Sequence, residues 1–184
     1  MLALTYARLA LTDVEVTAPA PPPPGYRPAV WEGTVPDELA ATFAASRRAM
    51  DDMPMDEADM RAETWDVDRV RGIAAAVAAR GDILCTVAAV AEADGTVAGF
   101  SELVVPGTGA GDAQHYGTGV LPEHRGRGLA RWMKAEAIRH TRLRHPGVAG
   151  LLTDTADSNV AMRRLNDALG YAPTHRSVLF QMEL

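Results

Sequence analysis

The sequence predicts an α/β protein in which a central mixed β-sheet carries helices on both faces. Segments with strand-like apolar runs alternate with segments of helical periodicity, in the predicted order β-α-α-β-β-β-α-β-α-β from residue 26 onward. Apolar residues make up 47% of the 184 residues, which is enough to form the core of a single domain.

The N-terminal segment differs in composition from the rest of the chain. A possible strand covers residues 6–12, and the following segment, residues 18–25, has five prolines between positions 19 and 24. Such a proline run is a stiff extended spacer. We therefore divide the chain into an N-terminal strand and linker (1–25) and a compact domain (26–184). The first seventeen residues are then a tail, an added strand or a dimerisation arm, so a homodimer is possible.

The first half of the predicted domain has a clear order of elements. Strands are predicted at 26–31, 83–91 and 97–105, and helices after a capping box at Thr34 and at 66–80. The run at 83–91 is continuously apolar, which indicates a strand buried on both faces. Gly81 ends the second helix, and Asp94-Gly95 forms a hairpin turn.

The second half continues the alternation of strands and helices. Strands are predicted at 114–121, 150–155 and 175–182, a long helix at 128–144, and a last helix that Asp157 or Ser158 caps. The apolar face of this last helix is formed by Ala161, Met162, Leu165, Ala168 and Leu169. Gly170 ends it.

Charge and cysteine content exclude several classes of function. The net charge of −6 argues against nucleic-acid and anionic-membrane partners, and no apolar run is long enough to span a bilayer. The N-terminus lacks the basic and apolar regions of a secretory signal. The one cysteine, Cys85, cannot form an internal disulfide, and a metal site built on cysteines is excluded. We therefore predict a cytoplasmic protein without a metal.

The charges are unevenly distributed along the chain. Residues 51–68 contain eight acidic residues and one arginine, whereas residues 124–145 contain seven basic residues and one glutamate. An acidic segment and a basic segment of this kind indicate two ligands of opposite charge.

The segment VLPEHRGRGLA at 120–130 joins a predicted strand to a predicted helix. Gly126 and Gly128 allow the backbone to approach a ligand closely, and the first N–H groups of the helix have no partners within it. With the helix dipole, and with Arg125 and Arg127, they form a site for a pyrophosphate. The Rossmann and Walker A patterns both fail here. The alternative is a solvated basic turn.

At these residues the sequence resembles the GNAT superfamily of N-acetyltransferases. Arg125-Gly126-Arg127-Gly128-Leu129-Ala130 matches its Q/R-x-x-G-x-G/A signature, and DSNVAMRRLNDALGY at 157–171 resembles its following helix. The resemblance covers about 26–184. It is strongest to the C-terminal half of actinobacterial tandem-GNAT proteins, in which a strand and linker join two such domains. It implies a GNAT fold whose mixed sheet splays at the acetyl-CoA site.

The resemblance also implies how acetyl-CoA is bound. The strand that ends at Val120 is expected to splay from its neighbour at a bulge, which Gly117 and Gly119 suit. Backbone groups of Gly119, Val120 and Leu121 would pair with the pantetheine arm. The pyrophosphate would bind to the backbone N–H groups of Arg125, Gly126, Arg127, Gly128, Leu129 and Ala130. Asn159 matches a coenzyme-contacting position and is alternatively a helix cap.

The implied reaction is direct attack of an amine on the thioester. Glu102 is the first candidate for the general base, because burial in an apolar strand raises a carboxylate pKa; alternatively it is a paired structural residue. His115 and Tyr116 are lesser candidates. The N–H of Val120 would polarise the thioester carbonyl. Asn166 occupies the position of the family's usual tyrosine acid, and could hydrogen-bond the coenzyme sulfur or amide.

The acceptor is expected to be a small-molecule amine, possibly cationic. In the family the first two helices and their loop form the acceptor site, and here that loop, residues 50–60, is acidic and rich in methionine. A solvated loop without a ligand role is equally compatible with this composition. Two other functions stay open: a non-catalytic acyl-CoA-binding or scaffold domain, and a protein N-acetyltransferase.

Overall fold

The structure is a computed structural model that describes residues 2–13, 20–51 and 64–179. These described residues form seven strands and four α-helices. The strands are β1 (Leu2–Ala10), β2 (Tyr26–Glu32), β3 (Ile83–Ala91), β4 (Val97–Val105), β5 (Gly111–Val120), β6 (Val148–Ala156) and β7 (Ala172–Leu179). The helices are α1 (Asp37–Ser46), α2 (Val67–Ala79), α3 (Leu129–Arg144) and α4 (Val160–Ala168).

All seven strands belong to one mixed sheet with the order β2-β3-β4-β5-β6-β1-β7. Neighbouring strands are antiparallel except β5 and β6, which are parallel and are joined through α3. The predicted α/β class with a mixed sheet is confirmed.

The two faces of the sheet are covered by different helices. Val87 and Ala89 of β3 belong to the core cluster that includes the buried side chains of α3, whereas Ala88 and Val90 belong to the cluster that includes those of α1. Successive strand residues point to opposite faces, so β3 is buried on both, as its apolar run predicts. Phe100 of β4 is fully buried in the α1 cluster, where truncation to alanine would cost about 3–5 kcal/mol.

Strand β1 lies inside the sheet. It pairs antiparallel with β6 from Leu4↔Ala156 to Ala10↔Gly150, and with β7 from Leu2↔Leu179 to Arg8↔Ala172. Of the three alternatives for the N-terminal segment, the described residues adopt the added strand, which begins four residues earlier than predicted. A unit that starts at residue 26 would therefore lack the strand that connects β7 to the sheet.

The proline-rich segment contacts the domain in its described part. Residues 20–23 have no regular secondary structure, and the carbonyl of Ala20 accepts a hydrogen bond from Trp132 Nε1 of α3 at 3.0 Å. Most of the acidic segment predicted at the acceptor site lies outside the described residues, since these omit 52–63. Among the described helices the longest has 16 residues, and none is both long and apolar enough to cross a membrane.

Two predicted helix starts differ from the structure. Helix α1 has Pro36 as its N-cap without a side-chain bond, so the capping box predicted at Thr34 is not formed. Helix α4 is capped by Asn159, not by Asp157 or Ser158. The carboxylate of Asp157 instead accepts a hydrogen bond from Thr5 of β1 at 2.5 Å, a partner that no local pattern reveals. The helix-ending role of Gly170 is confirmed by its positive φ of 89°.

The predicted strand boundaries are wrong by a few residues. The strands predicted at 114–121, 150–155 and 175–182 begin three, two and three residues earlier, at Gly111, Val148 and Ala172. Residues 180–182 lie outside the described part of the chain.

Candidate functional site

Strands β5 and β6 separate from each other halfway along their length. Their parallel pairing runs from Gly111↔Val148 to Gln114↔Leu152 and ends there. On its other side β5 stays paired with β4, but its register shifts at Tyr116, which is an extra residue between the two flanking pairs. A bulge bends the strand that carries it. Beyond Gln114 the sheet is therefore open between β5 and β6, as the resemblance implies.

The opening between the two strands contains a cavity of about 300 Å³. Strand β5 contributes residues 115–118 to its wall and strand β6 contributes residues 153–156, and Lys134 of α3 lies beside them. The remaining wall residues are Leu2, Leu4, Met50, Asn159 and Met162. The two strands leave hydrogen-bonding backbone groups without a neighbouring strand here, so a ligand with amide groups can take that place.

A second cavity, of about 370 Å³, continues from the first one along the surface. Its wall passes from Thr118 and Val120 over residues 124–126 and 128–131 to Ala161, Met162 and Leu165 of α4. Thr118, Asn159 and Met162 line both cavities, so the two are contiguous. Together they form one channel that is suited to a long ligand with an anionic end at the loop.

The loop before α3 has the geometry of an anion site. Gly126 and Gly128 have positive φ values of 75° and 79°, and both are exposed. Helix α3 begins at Leu129 without a side-chain cap and without an acidic residue in its first turn. Within the described part of the chain, the backbone N–H groups of residues 126–130 have no hydrogen-bond acceptor. These N–H groups and the positive end of the helix dipole can bind a pyrophosphate.

The two arginines of the loop contact protein groups. Arg125 Nε donates a hydrogen bond to the carbonyl of Val120 at 2.9 Å, and its backbone N–H is bonded to Pro122. Arg127 Nη1 donates to the hydroxyl of Tyr26 at 2.9 Å. Both guanidinium groups therefore add positive charge near the loop while they hold its conformation.

The strand residues predicted to bind the pantetheine arm differ in whether they line the channel or are packed inside the protein. Val120 lines the second cavity, whereas Leu121 is buried and its N–H donates to the carbonyl of Ala98. At Gly119 a Cβ atom would lie 3.0 Å from both Ala49 Cβ and Met50 Sδ. A side chain at this position would therefore be tightly packed against the residues that follow α1.

Asn159 forms the helix cap that the sequence left open, and its position is compatible with the coenzyme contact that the resemblance implies. Its Oδ1 accepts a hydrogen bond from the N–H of Met162 at 3.1 Å and so caps α4, and the residue lines both cavities.

Glu102 is fully buried on β4 and paired with an arginine. Its Oε1 accepts a hydrogen bond from Arg47 Nη2 at 2.6 Å and lies 3.4 Å from Thr86 Oγ1. The guanidinium carbon of Arg47 lies 4.7 Å and 4.4 Å from the ring centroids of Phe43 and Phe100. Glu102 lines neither cavity of the channel. It has the paired structural environment that was the alternative to a general base.

Asn166 lies behind the cavity wall and does not line it. Its side chain is buried, and Nδ2 donates to Thr155 Oγ1 at 3.2 Å. Since Thr155 lines the cavity, Asn166 orients a wall residue.

The adjacent wall contains a buried histidine–tyrosine pair, in which His115 Nε2 lies 2.6 Å from the hydroxyl of Tyr171. Burial, and after it the charge of Lys134, lowers the pKa of His115 well below its ordinary value. Burial raises the pKa of the Tyr171 hydroxyl. Both groups are therefore neutral at pH 7, and the ring of Tyr171 is packed in the core.

Lys134 is a site residue that the sequence reasoning missed. It is the only lysine of the chain, its side chain is buried, and it lines the cavity between the strands. Burial lowers the pKa of its ammonium group from 10.5 to about 7. The ammonium nitrogen lies 5.1 Å from the ring centroid of Tyr171. The only available signal was a single lysine among the apolar residues of a helix.

The mixed sheet opens between two parallel strands, and an anion-binding loop lies beside the opening. These features define the acyltransferase class that the segments at 120–130 and 157–171 resemble. The family model described as Acetyltransferase (GNAT) family matches residues 48–171, and the chain belongs to this family. A comparison with curated protein sequences gives no match.

Solved structures of similar fold support the family assignment. A tandem GNAT protein from the clavulanic acid biosynthesis pathway is 25% identical over 95% of this chain, with a TM-score of 0.75. A GCN5-related N-acetyltransferase from Sphaerobacter thermophilus is 18% identical over 95% of the chain, with a TM-score of 0.65. The chain spans 51% and 49% of these two proteins, that is, about half of each.

A third similar structure is closer to this chain in length. The aminoglycoside N-acetyltransferase AAC(6')-Iy in complex with CoA is 19% identical over 88% of this chain and 99% of its own, with a TM-score of 0.58. At this identity the likeness establishes the shared fold.

Proposed function

We propose that the chain binds acetyl-CoA and transfers its acetyl group to the amine of a small molecule. The observation that carries this proposal is the continuous channel from the unpaired N–H groups of residues 126–130 to the opening between β5 and β6. Membership of the GNAT family supports the same assignment.

In this proposal the coenzyme occupies the channel in one direction. Its pyrophosphate accepts hydrogen bonds from the N–H groups of the loop, near the charges of Arg125 and Arg127. The pantetheine arm passes Val120 and Asn159, and its amides take the place of the missing strand contacts. The thioester then lies in the opening, beside His115 and Thr118.

The reaction begins with a neutral amine near the thioester carbon. The nitrogen forms a bond to the acyl carbon, the carbon–sulfur bond breaks, and the coenzyme leaves as a thiolate that requires a proton. An N–H group of the opened strand, that of Val120, polarises the carbonyl oxygen. Lys134 lies in the same wall, and an ammonium group with a pKa near neutrality can stabilise or protonate the thiolate.

Two residues are candidates for the base that accepts the proton of the amine. Glu102 stays the first candidate from the sequence, and the neutral imidazole of His115 is the candidate that lines the cavity. Asn166 is best described as a positioning residue that acts through Thr155.

The acceptor is proposed to be a cationic amine in a cytoplasmic setting. Asp51, Asp66 and Asp68 are the described members of the acidic segment, and carboxylates attract cationic substrates. AAC(6')-Iy, which shares the fold, has been solved with the bisubstrate analogue CoA-S-monomethyl-acetylneamine. An aminoglycoside or another polyamine is accordingly the first acceptor to test.

A non-catalytic acyl-CoA-binding domain is the second candidate function. Asn166 at the position of the expected acid and the ion pair of Glu102 with Arg47 both favour it. A protein N-acetyltransferase is a third candidate, which the exposure of the channel at the surface permits. Amine turnover separates the first candidate from the second, and a peptide amine in the panel separates it from the third.

The loop assignment is tested by calorimetric titration with acetyl-CoA. We expect Gly128→Trp to abolish binding, because the indole would cover the N–H groups at the start of α3. Gly95→Trp is the matched control, since Gly95 also has a positive φ, of 76°, but lies in the β3–β4 hairpin turn. Equal affinities of the two variants would contradict the placement of the coenzyme.

Catalysis is tested by release of free coenzyme thiol across a panel of amines. Turnover with at least one small amine is the expected result. Binding of acetyl-CoA without turnover of any amine would select the non-catalytic candidate, and no binding at millimolar coenzyme would contradict both.

A further inference from the structure

A second cluster of polar side chains lies at the opposite end of α3 from the anion-binding loop. It consists of Glu32 at the end of β2, Cys85 on β3, His140 in the last turns of α3, and His145 directly after that helix. Glu32 and Cys85 are cross-strand partners in the β2–β3 register. Three segments that are distant in sequence, namely β2, β3 and the end of α3, thus place their potential ligands at the same point.

The distances within the cluster are close to those of a coordination sphere. Glu32 Oε1 lies 3.0 Å from His140 Nε2 and 3.0 Å from His145 Nε2, and Cys85 Sγ lies 3.7 Å from His145 Nε2. All four ligand atoms lie within 4.8 Å of one another. In a tetrahedral zinc site with ordinary bond lengths, neighbouring ligand atoms are separated by about 3.3–3.6 Å. The three contacts above differ from this range by a few tenths of an ångström, whereas ligand atoms that are up to 4.8 Å apart must approach further when an ion binds.

The chemistry of the four donors also agrees with a transition metal. A thiolate and two imidazoles favour zinc over the hard cations magnesium and calcium, and one carboxylate completes a four-ligand set. The cluster is partly buried, with 18%, 10% and 27% of the side-chain surfaces of His140, His145 and Glu32 exposed. This exposure gives an ion a path from solvent, while the buried thiol of Cys85 forms the inner side of the site.

We propose that Glu32, Cys85, His140 and His145 bind one zinc ion with a structural role. Four protein ligands leave no position for a reacting water, which is the pattern of structural zinc sites. His140 is eleven residues after the first residue of α3, which corresponds to about 16 Å along the helix axis. The ion is therefore distant from the anion-binding loop, and it joins the edge strand β2 to β3 and to the end of α3.

The proposed zinc site is contrary to the prediction from the sequence that the protein contains no metal. A single cysteine excludes a site built on several cysteines, but it does not exclude one cysteine combined with two histidines and a glutamate. The sequence separation of these residues, from position 32 to position 145, hides the set until the sheet and α3 are assembled.

Cobalt(II) is the probe for this proposal because it reports on both ligand type and geometry. The full-length protein is treated with a chelator, dialysed and titrated with cobalt chloride. We expect intense visible bands from a tetrahedral ion and a near-ultraviolet thiolate-to-cobalt band at one equivalent. Cys85 is the only cysteine, so the thiolate band reports on this site alone. A folded protein that produces no thiolate band at saturating cobalt would overturn the proposal.

Single variants test the four ligands. Cys85→Ser should remove the thiolate band, and His140→Asn and His145→Asn should each weaken zinc binding by about tenfold or more, since even outer-shell changes have effects of this size. His175→Asn is the matched control, because its ring lies on β7 and stacks on Tyr6. Retention of the band in Cys85→Ser, or equal weakening in His175→Asn, would exclude this ligand set.

A thermal measurement checks the structural role without relying on a variant that fails to fold. Excess zinc should raise the Tm of the chelator-treated wild-type protein, because a ligand that binds only the folded state stabilises it. The same addition should raise the Tm of His140→Asn less than that of the wild type, because the variant binds zinc more weakly. An equal shift in both proteins would mean that zinc binds elsewhere and would overturn the proposal.

Discussion

The buried Lys134 predicts an unusual dependence of stability on pH. Burial lowers the pKa of its ammonium group from 10.5 to about 7 in the folded protein. Between these two values the unfolded chain binds a proton that the folded protein does not bind. The free energy of unfolding therefore rises with pH across this window and falls as pH decreases toward 7. Replacing Lys134 by methionine removes the titrating group but keeps its apolar stem.

The size of the effect follows from the two pKa values. At 1.36 kcal/mol per pKa unit, the lysine makes the folded state about 2 kcal/mol less stable at pH 7 than at pH 9. His115 titrates below this range, because its pKa is lowered well below the ordinary value. In the metal-free protein, burial raises the pKa of Cys85 to about 12, and the thiol therefore adds a contribution of opposite sign near and above pH 9. Since this contribution is common to the metal-free wild type and Lys134→Met, the difference between the two proteins isolates Lys134.

Urea unfolding at pH 7, 8 and 9 measures the effect directly. We expect the wild-type free energy of unfolding to rise by about 2 kcal/mol across the series, and that of Lys134→Met to stay nearly constant and to exceed the wild-type value most at pH 7. Val87→Ala, a substitution in the core cluster that contains the α3 residues Trp132 and Met133, is the control that lowers stability equally at each pH. Parallel pH dependences in the wild type and Lys134→Met would refute the reasoning.

Further predictions concern the buried ion pair and the first strand. Glu102→Gln should lower stability by about 3–5 kcal/mol because it leaves the charge of Arg47 buried and unpaired, and addition of Arg47→Met should recover most of this loss in urea unfolding; no recovery would contradict the pairing. Full acetyl transfer by this double variant would exclude Glu102 as the base. Deletion of residues 1–25 should leave β6 and β7 with unpaired edges and cause association or unfolding, as measured by sedimentation. An unchanged mass and Tm would show that β1 is dispensable.

The fold was largely predictable because its signals are local. The apolar run at 83–91, the turn at Asp94-Gly95 and the glycine-rich loop at 125–130 each depend on neighbouring residues, and the structure places each as predicted. The opening of the sheet was expected from the resemblance to the GNAT superfamily, and the register shift in β5 lies next to Gly117. These features depend on period, turn chemistry and backbone freedom, which a single segment of sequence contains.

The errors came from interactions between distant segments. Arg47 and Glu102 are 55 residues apart, and no pattern in the apolar β4 segment indicates which helix presents its partner. Helix α4 is capped by Asn159 and not by Asp157, and the carboxylate of Asp157 instead accepts a hydrogen bond from Thr5 on the first strand. Side-chain partners of this kind are determined by the assembled sheet, and local propensity cannot identify them.

The position of β1 has a consequence for how the protein folds. Its partner strands begin at residues 148 and 172, so β1 can pair only after nearly all of the rest of the described chain has been made. During that interval β1 has no partner strand of its own chain, and its Leu- and Ala-rich sequence is open to association. Closure of such long loops makes the capture of β1 a late step in folding. The pairing of β1 thus depends on strands that are translated much later than β1 itself.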